Sequence, residues 1–313
     1  MSHSNPLISV LMPVYNAEKF VRRSVESVLC QSFRNFELIC VDDGSQDASL
    51  DILKEYAERD SRLKIVANPH KGACETLNEC LSRVTGEYIT FIDNDDEYHP
   101  RTLEMAYKAI VRQKFDVVIW DWMQVAEGAK YVDSTFPVLT GNENVERLVD
   151  YIGWSLNNKH VSFWCKIYSR KALLDMMFVP GVIHGDVIFQ WQLFLRAPLS
   201  VGYLPCCLYK YYIRGGSMDH SSMTAAKAVD RIKCVRYILR EKYFSIDVIV
   251  RLKGMLGEII WSGYKTGRQF PQFRECVLQE IKQLFLEKDF RWRDVPFVRR
   301  VKMFWAVLSG KML

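Results

Sequence analysis

Two glycine-rich phosphate cradles are missing from this chain. Neither G-x-G-x-x-G nor G-x-x-x-x-G-K-[ST] occurs in its 313 residues, which weighs against dinucleotide oxidoreductases and P-loop kinases. Long apolar runs are missing too: no stretch approaches the ~18 uninterrupted apolar residues that a spanning helix requires. Met1-Ser2-His3-Ser4-Asn5 has no basic stretch leading into an apolar one, so no secretory leader is expected. The nine cysteines are odd in number and scattered, and none sits at zinc-site spacing with another Cys or a His. Cys30, Cys40 and Cys165 lie within apolar runs and Cys206-Cys207 are adjacent, so the expectation is reduced thiols in a cytoplasmic protein. Internal repeats and low-complexity tracts are absent. A net charge of +5 is too small to point to nucleic acid, and none is expected as a partner.

What is present is the composition of an ordinary globular chain, 49% hydrophobic and 25% charged, long enough for one large core or two smaller ones. Its first third alternates two periodicities. Residues 8–14 (ISVLMPV), 36–41 (FELICV), 63–66 (LKIV) and 88–92 (YITFI) are short apolar runs of buried-strand type. Between them, residues 18–31, 47–59 and 75–84 carry apolar side chains at helical spacing, and Gly86 is read as the stop of the third helix. Such alternation implies a mostly parallel α/β sheet covered by helices on both faces. Ligands of these sheets bind outside the carboxyl ends of the strands. Three of those ends carry polar signatures: Pro13-Val14-Tyr15-Asn16, Asp42-Asp43-Gly44-Ser45 and Asp93-Asn94-Asp95-Asp96.

The last of these places three carboxylates within four residues. Charges so close repel, and need a hard cation or a basic cluster if they are even partly buried. An isolated D-x-D fits an acidic turn before the next helix equally well. Converging with two other acidic or polar strand ends, and without a glycine-rich phosphate loop, it suggests a diphosphate bridged by Mn2+ or Mg2+, held by one or two carboxylates.

The runs V-L-M-P-V-Y-N, then Q-S-F-x-N-F-E-L-I-C-V-D-D-G-S-x-D, then G-E-Y-I-T-F-I-D-N-D-D, taken in order, resemble the family-two glycosyltransferases of the GT-A (Rossmann-like) fold. The likeness is close over residues 7–105 and weaker to about residue 222. It implies inverting transfer from a nucleotide-diphosphate sugar, usually a UDP-sugar. By the family pattern Pro13, Val14 and Tyr15 line the nucleoside pocket, Asp43 accepts from the uracil ring and Asp42 positions that turn. Asp95 is implied as the direct metal ligand and Asp93 as lying nearer the ribose or a metal-bound water. The pattern departs at residues 75–80 (ETLNEC), where many members have A-R-N-x-G. The arginine expected beside the diphosphate is absent, leaving Lys71 or a residue of the second half to supply that charge.

In the second half, residues 117–122 and 163–168 read as strands, and residues 208–220 as a segment following another strand. The resemblance implies that Asp186, in Gly185-Asp186 at a helix start, is the catalytic base. A carboxylate there would deprotonate the acceptor hydroxyl; read without the resemblance, Asp186 is a plain helix cap. His184 is the local rival. A Y-x-Y-R-x-x-x-S segment in related enzymes implies phosphate or metal contact for Arg214, Ser217 and His220. Trp154, Trp164 and Trp191 could stack on sugar rings or simply fill the core.

From Ala225 the pattern turns helical, and residues 290–308 mix cations with large apolar side chains, as segments on anionic membrane surfaces do. The expected organisation is a catalytic domain over residues 1–222, divided into a nucleotide-sugar half (1–115) and an acceptor half (116–222). A helical, basic-aromatic region over 223–313 follows, in contact with a membrane surface. The expected activity is transfer of a hexose, glucose or galactose, from a UDP-sugar to a glycan or lipid-linked acceptor. Lipopolysaccharide core or another surface polysaccharide is the expected product, made at the cytoplasmic face of a bacterial inner membrane. The alternatives are a silent sugar-nucleotide-binding protein and a nucleotidyltransferase; the latter would bring a basic, Gly-rich N-terminal loop that residues 5–16 lack.

Overall fold

The structure, a computed structural model, describes residues 7–126, 136, 145–148, 162–183, 185–196, 199–213, 229–230, 233–234, 274–285 and 302–303. The chain divides into two compact units, Met1–Pro180 with Leu199–Ser221, and Gly181–Pro198 with Ser222–Leu313. Among the described residues no helix is long and apolar enough to cross a membrane.

The first unit is built on one sheet. Its strands are β1 (Ile8–Val14), β2 (Phe36–Asp42), β3 (Leu63–Ala67), β4 (Tyr88–Phe91), β5 (Glu97–Tyr98), β6 (Val117–Ala126), β7 (Glu146–Leu148), β8 (Lys166–Ser169) and β9 (Val201–Ile213). They lie in the order β3-β2-β1-β4-β8-β6-β9-β5, with β7 paired to β9. Strands β1 to β4 run parallel. Antiparallel β8 separates β4 from β6, and β6 and β9 are again parallel. The helices are α1 (Val21–Leu29), α2 (Ser49–Arg59), α3 (Ala73–Ser82) and α4 (Thr102–Gln113), with α5 (Gly185–Arg196) and α6 (Arg274–Phe285) in the second unit.

Side-chain alternation explains the layering. Ile8, Val10, Met12 and Val14 of β1 point into a core shared with Val21, Val25 and Val28 of α1, Ile52 and Leu53 of α2, and Leu103, Ala106 and Ile110 of α4. Leu11 is equally buried but outside that cluster, as are Cys74, Leu77 and Cys80 of α3, which packs against β1 and β2. A second aromatic core forms where Phe91 meets Phe163 and Phe178 edge-on at 5.1 and 6.1 Å. This is the mixed, mostly parallel sheet, covered on both faces, that the periodicities imply.

Three sequence expectations shift. Helix α3 stops at Ser82, and Gly86 does not cap it. Gly86 lies instead against β1, where its N–H donates to Ser9 Oγ at 2.9 Å and a Cβ would stand 2.8 Å from the Ser9 nitrogen. Residues 163–165 precede β8 rather than belonging to it, and residues 208–213 form the second half of β9 instead of a loop after it. Residues 127–135, 137–144, 149–161, 184, 214–228 and most of 235–313, including Trp154, His184, Arg214, Ser217, His220 and the basic-aromatic stretch, lie outside the described residues; within that last stretch Lys302 and Met303 are described, and Met303 is buried.

The amino ends of the strands are tied by Glu37, which is 2% exposed. Its Oε1 accepts from Ser9 Oγ at 2.5 Å, Thr85 Oγ1 at 2.7 Å and Thr85 N–H at 2.9 Å, and its Oε2 from Lys64 Nζ at 2.5 Å. Burial by itself pushes this carboxyl up, but hydrogen bonds from Lys64, Ser9 and Thr85 outweigh it and hold the group below the usual glutamate range. A depressed carboxyl contributes stability above its unfolded value, about 4.3, and loses it as pH falls through the folded value. Glu37→Gln turns an acceptor facing the Lys64 ammonium into a donor, and should cost about 1–3 kcal/mol at pH 7. Urea unfolding of both proteins should show that gap at pH 7 and a much smaller one near pH 3.

Candidate functional site

The loops at the carboxyl ends of β1, β2 and β3 are stapled together by their own polar side chains. Asn16, at φ 46°, receives Gln46 N–H on its Oδ1 at 2.8 Å, and donates its own N–H to Ser45 Oγ at 3.0 Å. Glu18 N–H donates to Asp47 Oδ2 at 3.0 Å, and Ala17 N–H to Ser49 Oγ at 2.7 Å. Asp42 is buried, and its Oδ2 accepts from Ser45 N–H at 3.0 Å, closing the turn. Its Oδ1 finds no donor among the described residues. Gly44 follows at φ 72°, and a Cβ there would lie 2.8 Å from the His70 nitrogen, so the β2 and β3 loops can approach only because this residue is glycine.

Asp43 is the hub of this cluster. It is nearly buried, yet its carboxylate accepts from Lys71 N–H at 2.8 Å and Gly72 N–H at 2.9 Å. His70 Nδ1 stands 2.8 Å from Asp43 Oδ2 and 3.2 Å from the Asp43 carbonyl. The imidazole stacks on Tyr15, with centroids 4.3 Å apart and planes at 22°. Tyr15 is 43% exposed, whereas the Val14 side chain is buried in the core and only its carbonyl, accepting from Asp43 N–H at 2.8 Å, reaches this edge. Pro13 is half-buried, and its carbonyl accepts from Asn94 Nδ2 at 2.8 Å. A carboxylate has room for about four donors, so Asp43 can take one more beside an exposed aromatic face.

The acidic loop between β4 and β5 is the second part of the site. Asp93 and Asp95 are half-buried and Asp96 is fully buried. Asp96 Oδ2 accepts from Tyr209 Oη at 2.7 Å, and Oδ1 from Tyr212 N–H at 2.9 Å. The same Tyr209 hydroxyl accepts from Asp93 N–H at 3.2 Å. Burial, then the charges of Asp93 and Asp95, push the Asp96 carboxyl far above its ordinary range. Arg23 of α1 donates to the Asp95 carbonyl and lies over the Tyr212 ring, 3.5 Å from its centroid. Tyr212 Oη in turn donates to Glu97 at 2.9 Å, and Lys210 Nζ pairs with Glu97 at 3.2 Å. Among the described residues no three His, Cys, Asp or Glu side chains are grouped to hold a metal. Two loop carboxylates can supply part of the donor set of a hard cation that takes its remaining ligands from water and phosphate.

Two further positions carry sequence expectations. Leu77 stands where an arginine was sought and is buried, while Asn78 clamps α3 to the chain after β8 through Phe178 N–H at 2.7 Å and Phe178 carbonyl at 2.8 Å. Asp186 lies in the first turn of α5, within the second unit. There its charge adds to burial and Asp230 in raising the Cys234 thiol, and Asp230 itself accepts from Ile183 N–H at 2.8 Å. Sequence reading missed His70, Arg23 and Tyr209, which no motif marks; the adjacent Asp43 and the acidic loop were the available signals.

Comparison with known proteins gives one family. The model described as "Glycosyl transferase family 2" matches residues 9–176. Glycosyltransferase GlyA of Streptococcus pneumoniae is 29% identical over 222 residues, 68% of this chain and 31% of that protein. The chain spans less than two thirds of the first curated relatives it matches, 31%, 65% and 62% of their lengths. Among solved structures, Staphylococcus aureus TarS 1-349 in complex with UDP-GlcNAc superposes with a TM-score of 0.72 at 21% identity, over 97% of this chain and 88% of that one. A Pyrobaculum calidifontis mannosyltransferase in complex with GDP-Man and Mn2+ gives 0.59 at 14% identity, over 99% and 89%. Both likenesses are of fold.

Tyr209→Phe would leave Asp96 Oδ2 buried without its hydroxyl donor and Asp93 N–H without its acceptor. A loss of about 1–3 kcal/mol in unfolding free energy is expected, read as a lower denaturant midpoint with unchanged slope.

Proposed function

Because the chain belongs to glycosyl transferase family 2 and has the GT-A fold, we propose that it transfers a hexose, glucose or galactose, from a UDP-sugar to a hydroxyl of a growing glycan, with inversion. The observation that carries this reading is the meeting of a base-sized aromatic and carboxylate corner, Tyr15, His70 and Asp43, with the acidic loop at one edge of one sheet. Asp43 accepts the N–H of the uracil ring, and Tyr15 offers its face. That TarS structures hold UDP-GlcNAc and UDP supports a UDP-linked donor for a chain of the same fold.

Asp93 and Asp95 would hold Mn2+ or Mg2+, with His220 as a further ligand and Arg214 and Ser217 on the diphosphate. The bound cation supplies neutralisation of the charge that builds on the departing nucleotide; the mannosyltransferase that carries Mn2+ supports a divalent ion in this fold. Asp186 takes the proton of the acceptor hydroxyl. That oxygen forms a bond to the anomeric carbon from the face opposite the diphosphate, the old C–O bond breaks, and UDP leaves with its electron pair. The acceptor is a glycan or lipid-linked glycan of lipopolysaccharide core or another surface polysaccharide. Contact of the basic-aromatic stretch within 291–313 with anionic lipid keeps the enzyme at the cytoplasmic face of the bacterial inner membrane.

Two variants test separate steps. Asp186→Asn should lower transfer roughly 100-fold or more while UDP-sugar affinity by calorimetry stays within about twofold; near-normal turnover removes Asp186 as base. Asp43→Ala should weaken UDP binding by roughly tenfold or more, and unchanged affinity would place the uracil elsewhere.

A further inference from the structure

Large aromatic side chains gather beside the acidic loop. Just before β8, Trp120 N–H donates to the Cys165 carbonyl at 3.1 Å, and Trp164 precedes that residue. The Trp164 indole lies nearly parallel to Tyr209, at 5.0 Å and 15°, and to Tyr211, at 5.6 Å and 11°. Trp122 meets Trp164 and Tyr211 edge-on at 5.7 and 6.4 Å. Tyr209 is buried, while Trp122, Trp164 and Tyr211 are half-buried. Through its hydroxyl, Tyr209 joins this group to Asp93 and Asp96.

Trp122, Trp164 and Tyr211 pack against the main core with part of each ring and leave the rest in water beside the acidic loop. Rings that are apolar over their faces and sit at a wet boundary suit a ligand with the same division. A pyranose ring is such a ligand: its C–H face is poorly hydrated, and its hydroxyls project sideways toward polar partners.

We propose that Trp164, Trp122 and Tyr211 form a pyranoside subsite on which the acceptor sugar rests beside the acidic loop. The assignment of the sugar as acceptor rests on the transferase reading above. The geometry makes Tyr209 the link between the two: the hydroxyl that fixes the acidic loop belongs to a ring that also supports the platform.

The test uses the full chain, saturation-transfer NMR with a panel of methyl glucosides, galactosides and N-acetylglucosaminides, and separate calorimetry with UDP and UDP-sugars. At least one glycoside should receive saturation from aromatic protons. Trp164→Leu and Tyr211→Leu should each weaken it roughly tenfold, Trp164→Phe should retain most of the affinity, and UDP and UDP-sugar binding should not change in any of them. Unchanged glycoside affinity in Trp164→Leu, or a wild-type protein that binds UDP but no glycoside, would overturn the proposal. So would loss of UDP-sugar affinity with UDP affinity intact, since the platform would then hold the donor sugar. Glycoside binding that depends on Trp164, in a protein that does not bind UDP, would support the platform and refute the transferase reading.

Discussion

A buried carboxyl group beside two other aspartates is costly to hold away from water. Asp96 is removed from solvent with Asp93 and Asp95 close in sequence and in field. Desolvation and like charge both oppose its ionisation, and an unpartnered oxygen there would cost more than most single contacts contribute. Strand β9 offsets part of this by giving each oxygen a hydrogen-bond partner, the Tyr209 hydroxyl and the Tyr212 N–H. The acidic loop is thus held by a strand more than a hundred residues away in sequence, and the two half-buried carboxylates that remain are presented at the sheet edge. Arg23 closes the loop from the other side through the Asp95 carbonyl and the Tyr212 ring.

The corner around Asp43 follows the same logic at smaller scale. Asp43 is anchored by two backbone N–H groups and by His70, so its position is fixed before any ligand arrives. Gly44 permits the close passage of the β3 loop, and the Asn16–Gln46 and Glu18–Asp47 bonds hold the β1 loop to the β2 loop. Loops so interlocked behave as an extension of the sheet, which is what the precise orientation of a reacting group demands. The aromatic group around Trp164 adjoins this edge through Tyr209.

Much of the first third was legible because parallel strands buried on both faces read as unbroken apolar runs, and α1, α2 and α4 carry clean helical stripes. The three polar strand ends could be named from the same rule, since ligands of such sheets collect there. What could not be read was pairing at long range. Nothing local marks β8 as the antiparallel insert between β4 and β6, or Tyr209 as the partner of Asp96. Gly86 was misread as a helix stop because a glycine after a helix is usually one; here its lack of a side chain serves close contact with Ser9. Leu77 occupies the place of an expected arginine, and among the described residues Arg23 of α1 reaches the acidic loop, from a position whose spacing looks like that of any surface residue.

The central claim is that this sheet edge binds a nucleotide-linked sugar through a divalent cation at the acidic loop. Calorimetric titration of the full chain with a panel of UDP-sugars, with and without Mn2+, tests it most directly. Binding of one donor in preference to the others, dependent on the metal, is the expected result. A folded protein that binds none of them, or binds equally well with the metal withheld, would contradict it.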